Sequence, residues 1–133
     1  MASGTQELFA NLAEKEKLRG HHSPEGLAMR VLCRAMNGWS TDSLGAEDVL
    51  ILCDQAVADW LRTRLKISSW SGIGFTHLLV SASERNWISG SEALRLRAIH
   101  EARSALQSGA GTMTDADIEA GMMFCIDLID KRW

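Results

Sequence analysis

Between Ala46 and Lys66 the apolar residues Val49, Leu50, Cys53, Val57, Trp60, Leu61 and Leu65 recur at helical spacing and cover more than half of a helix's circumference. A helix with so wide an apolar surface cannot lie on the outside of a domain. It needs other helices around it, and the rest of the chain supplies them. Thr5 to Arg19 carries Leu8, Phe9 and Leu12 on one side, which predicts a first amphipathic helix stopping near Gly20. Ser23-Pro24-Glu25 then gives an N-cap, a proline at the first helical position and an acid in the first turn, ahead of the apolar face Leu27, Met29, Val31, Leu32, Ala35 and Met36. That second helix is expected to end by Gly38, and the turn-rich stretch from Gly38 to Gly45 reads as a loop.

Past the central segment, Ile67 to Gly72 reads as a break, and Ile73, Phe75, Leu78 and Leu79 start a short helix to about Glu84, with a strand over Ile73 to Val80 as the lesser alternative. Ser89 and Glu92 stand at capping-box spacing and open a helix from Gly90 to Gln107. Ser108-Gly109-Ala110-Gly111 ends it. Thr114 then caps a last helix with Ile118, Met122, Cys125, Ile126 and Ile129 on its inner side. The expected architecture is an all-α, compact bundle of five to six helices in a single domain over residues 1–133: two N-terminal helices and a loop over 1–45, and a core over 46–133.

A chain of 133 residues, 46% hydrophobic and 23% charged, can bury roughly two-thirds of its unfolded surface, so it requires neither a disulfide framework nor a structural metal. Uninterrupted apolar runs such as Val49–Cys53 fall far short of the ~20 residues of a membrane span, and no secretory signal is recognisable at the start. No membrane association is expected. Cys33, Cys53 and Cys125 are odd in number and far apart among apolar neighbours, which reads as free core thiols of a cytoplasmic protein, without metal or cofactor. Trp39, Trp70 and Trp87 lie in or beside loops, as core filler or as anchors for a partner.

Net charge is −3, but it is unevenly placed: residues 60–103 hold seven basic side chains against three acidic ones, and both ends are acidic. The seven are Arg62, Arg64, Lys66, Arg85, Arg95, Arg97 and Arg103. Side by side they would form a polyanion-binding stripe; balanced by acids they are a solvated face, the preferred reading.

From about residue 46 onward, the succession of an apolar helix, a short helix, the turn Asn86-Trp87-Ile88-Ser89, the helix Glu92 to Ser108, a glycine loop and a Thr-capped closing helix resembles the HEPN superfamily of helical bundles. Active members of that family are metal-independent ribonucleases, commonly dimers whose Arg-Asn-x-x-x-His motif lines a shared cleft. The resemblance implies that Arg103 stands at the Arg of the motif, Ser104 at the Asn and Ser108 at the His. Two of the three positions therefore depart. A serine of ordinary pKa does not act as acid or base near pH 7, whereas Arg103 could still bind phosphate. Arg95 and His100 offer a second Arg/His spacing, but their side chains leave one helix ~140° apart and would converge only across a dimer.

The resemblance thus implies a homodimeric, non-catalytic module that binds a protein partner or, more weakly, RNA, with Arg95, Arg97, His100, Arg103, Ser104 and Ser108 as candidate binding residues. The alternatives are an active ribonuclease of a toxin or defence system, and an immunity-type regulator that neutralises a basic partner through the acidic ends. Plain structural readings stand beside these. His100 and His77 would be helix histidines satisfied by an acid, Arg103 a cation at a helix C-terminus, Ser108 a residue before a glycine stop, and His21-His22 a polar loop.

Overall fold

Ser23 accepts a hydrogen bond from the Gly26 N–H at 3.1 Å, Pro24 occupies the first turn, and helix α1 runs Pro24–Ser40. In this computed structural model, residues 22–68 and 71–133 are described, together with residues 10, 12, 14 and 15. They form an all-α bundle. After α1 come α2 (Ala46–Leu65), α3 (Phe75–Glu84), α4 (Gly90–Gln107) and α5 (Asp115–Asp130). Of the helix expected over Thr5–Arg19, residues 10, 12, 14 and 15 are described, each of them helical, and the rest lies outside the described residues, as do His21 and Trp70.

Helix ends follow local chemistry. In α4 both halves of the capping box are made: the Glu92 N–H donates to Ser89 Oγ at 3.1 Å, and the Ser89 N–H to Glu92 Oε1 at 2.8 Å. Thr114 caps α5 through the Asp117 N–H at 3.1 Å. Gly45 can supply only a backbone N–H, donated to Asp48 Oδ2 at 3.2 Å. Lys66 closes α2 in the left-handed region at φ 57°. Helix α1 runs two residues past its expected stop because Gly38, with no Cβ, lets the Leu44 side chain fold against it. The lesser strand alternative at Ile73 to Val80 is overturned: the described residues include no strand, and the chain turns helical at Phe75 behind an extended Gly74.

Helix α2 packs against α1, α3, α4 and α5, as its wide apolar surface requires. Its Leu50, Trp60 and Leu61 meet Met29 and Leu32 of α1, Leu78 of α3, Leu96 of α4 and Ile118, Ile126 and Ile129 of α5 in one buried cluster. None of the described helices is long and apolar enough to cross a membrane.

Two acids are inside this core: Glu25 at 3% exposure and Asp54 at 5%. Each is satisfied. Glu25 accepts from Trp60 Nε1 at 2.6 Å and from Arg64 Nε at 2.7 Å, and pairs with Arg64 Nη2. Burial pushes the Glu25 carboxyl up, but donation by Arg64 and Trp60 outweighs it and leaves the group below its ordinary range. Arg64 in turn lies over the Trp87 ring, 5.4 Å from its centroid. Arg132 donates to the Trp87 carbonyl at 2.7 Å, pairs with Glu92 at 3.0 Å and lies 5.8 Å from the Trp60 ring centroid. This girdle ties the start of α1, the end of α2, the turn before α4 and the residues after α5. Trp87 is therefore a structural half-buried ring, and Trp39 likewise donates to Glu119 of α5 at 3.1 Å.

Candidate functional site

Asp54 lies one turn beyond Leu50 and one turn before Val57, on the inner face of α2. A carboxylate there is costly unless paired and hydrogen-bonded. Its partners come from α4, where His100 and Arg103, three residues apart, share one face. Arg103 Nη1 donates to Asp54 Oδ2 at 2.8 Å, and His100 Nδ1 approaches the same oxygen at 2.6 Å. An oxygen already accepting from Arg103 accepts here as well, which places the proton on Nδ1 and leaves Nε2 as the other ring position. Phe75, the first residue of α3, stacks on the His100 ring with centroids 4.5 Å apart and planes 11° from parallel. Three helices thus converge on one imidazole.

Arg103 Nε is buried without a hydrogen-bond partner among the described residues. Among the described residues the guanidinium is held through Nη1. His100 and Arg103 are each just over a quarter exposed, so the cluster lies at the edge of the core and not in its middle.

The other candidates on α4 are dispersed. Arg95 lies over the Phe124 ring of α5, 5.6 Å from its centroid, and His100 faces Asp54, so the two do not converge within one subunit. Arg97 pairs with Glu101 at 3.1 Å on the exposed side. Ser104 Oγ donates to the His100 carbonyl at 3.2 Å. Ser108 Oγ donates to the Ala105 carbonyl at 3.0 Å, and its backbone N–H caps the end of α4. His77 is an exposed residue of α3.

Of the seven basic side chains of the stripe, Lys66, Arg85, Arg95 and Arg97 are exposed and Arg62, Arg64 and Arg103 half-buried, but several are already engaged. Arg62 donates to the Ile73 carbonyl at 3.3 Å, Arg85 to the Leu65 carbonyl at 3.4 Å, Arg64 is on Glu25 and Arg103 on Asp54. Most of these guanidinium groups hold helices and loops together, which weakens any picture of a continuous polyanion track.

Cys53 and Cys125, far apart in sequence, come together across α2 and α5; their mutual hydrogen bond and their burial push the Cys125 thiol well up. Such a thiol is a core residue and a poor nucleophile. Among the described residues no group of three His, Cys, Asp or Glu side chains is placed to hold a metal ion.

Sequence reading singled out His100 and Arg103 but missed their common partner. Helical spacing alone carried the signal, since Asp54 shares the face of Leu50, Val57 and Leu61. The same holds for Glu25, read only as a first-turn acid although it precedes Met29 by one turn.

Compared with known proteins, the chain matches no family model, no curated sequence and no solved structure.

Proposed function

We propose that the chain is a non-catalytic, HEPN-like helical module that acts by binding a protein partner, and RNA more weakly, as a homodimer. The observation that carries this reading is the engagement of Arg103 with Asp54 inside its own subunit. Cleavage of RNA through a 2′-hydroxyl needs a proton-transfer group near pH 7 and a cation free to meet the phosphorane charge. Ser108, at the position of the family's His, is a capping serine, and Arg103 already has its anion. The outer side of α4, where Leu94 is 69% exposed beside Arg97 and Ala98, is the surface on which a second copy would sit.

The test is incubation of purified protein with single-stranded RNA in the presence of a chelator, alongside Arg103→Ala, His100→Ala and Arg95→Ala, with light scattering for the oligomeric state. No cleavage and a dimeric mass are expected. A stable monomer would remove the family-based reading.

One observation favours the ribonuclease alternative: the Asp54–His100 pair orients an imidazole as a general base would be oriented. Chelator-resistant cleavage lost in a folded His100→Ala variant would establish that reading in place of the binding module.

A further inference from the structure

Along the outer side of α1, from residue 26 to residue 37, runs an open groove of about 630 Å³. Its apolar lining includes Leu12, Val31 and Trp133, and Leu27 stands half exposed at its edge. Arg30 and Arg34, one helical turn apart and both exposed, also line it. Among the described residues that line the groove none is acidic.

Most other arginines among the described residues have a polar partner, and Arg95 lies over the Phe124 ring. Arg62, Arg64, Arg85, Arg97, Arg103 and Arg132 each donate to a carboxylate or a carbonyl oxygen. Arg30 and Arg34 make no hydrogen bond or ion pair among the described residues. The nearest acid in sequence, Glu25, is buried and committed to Arg64 and Trp60. A groove that is mainly apolar and carries two guanidinium groups with no hydrogen-bond or ion-pair partner among the described residues complements a ligand with one apolar face and an acidic edge.

We infer that this groove binds an amphipathic acidic helix of a partner protein. The groove spans about three turns of α1, long enough to seat apolar side chains of a partner helix at i, i+3/i+4 and i+7 while acidic residues at one edge meet Arg30 and Arg34. Guanidinium–carboxylate pairing at a rim sets orientation and partner choice more than total affinity. A single-stranded nucleic acid fits less well: Trp133 is the lone ring among the described residues that line the groove, and base stacking needs a series of them. The inference goes beyond the module reading and can fail without it, because neither arginine touches the Asp54 cluster.

The experiment is selection of a displayed library of helical peptides on the full chain, followed by titration of the enriched peptides by fluorescence anisotropy. Enriched sequences are expected to combine an apolar stripe with Asp or Glu at one edge. The double variant R30E/R34E, confirmed folded by circular dichroism, is expected to weaken them by about tenfold or more, and peptides with Lys in place of the acids to regain binding to it. Enrichment of neutral or basic peptides, insensitivity to R30E/R34E, or no enrichment would overturn the proposal. So would displacement of the peptides by oligouridine, which would make the groove a nucleic-acid site. Self-association abolished by Leu27→Asp would assign it instead to a second copy.

Discussion

At the scale of single residues the molecule is organised by two buried carboxylates, and their consequences differ. Asp54→Ala leaves His100 and Arg103 facing each other without their shared acceptor, next to a guanidinium nitrogen that already has no partner. Removing one member of a buried pair is strongly destabilising; because both partners are part exposed, solvent recovers some of the loss, and about 2 kcal/mol is expected in urea unfolding, less for Asp54→Asn. Glu25 makes the fold sensitive to acid. Its folded pKa lies below the unfolded value of about 4.3, so the stability it contributes is present above that pH and is lost as pH falls through the folded pKa. Glu92 is shifted the same way: burial raises it, but the Ser89 N–H, Lys131 and Arg132 prevail. Glu25→Gln is expected to lower stability at pH 7 and flatten its decline below about pH 4, read from unfolding curves across the acid range. His100 and Arg103 were visible as candidates in the sequence, but their pairing was not. The carboxylate that joins them is 46 residues from one and 49 from the other, and no local pattern reports a contact across that separation.

At the scale of elements, legibility followed capping chemistry. The starts of α1, α4 and α5 were marked by Ser23-Pro24, Ser89 with Glu92, and Thr114, each of which makes its expected hydrogen bond. Where caps are weak, as at Gly45 and Gly74, the period of the apolar residues had to mark the helix instead. Ser89→Ala removes half of the α4 box and is expected to cost about 1 kcal/mol, measured by thermal or chemical unfolding. Glycine at 38 is required for another reason. A methyl group there would collide with Leu44, so Gly38→Ala is expected to destabilise by about 1–3 kcal/mol despite alanine's better helix propensity, and Leu44→Ala in the same chain to restore part of the loss. The end of α1 could be misjudged from sequence because a glycine there reads as a stop, whereas this one admits a neighbouring side chain.

For the whole molecule, α2 decides the behaviour. It is the one element whose apolar surface announced itself from sequence as central, and α1, α3, α4 and α5 all pack on it. Trp60, at 1% exposure, stands near its end and reports on that packing by its near-ultraviolet signal. Trp60→Ala should cost about 3–5 kcal/mol, since it opens a large cavity and deprives Glu25 of a donor. Because each of the other helices covers a different part of α2, none can melt without exposing apolar surface that the remainder depends on. Cooperativity is thereby built into the connectivity: backbone and tryptophan signals are expected to follow coincident two-state transitions. Half-folded species, the usual substrates of proteases and seeds of aggregation, would then be scarce at every stage of denaturation.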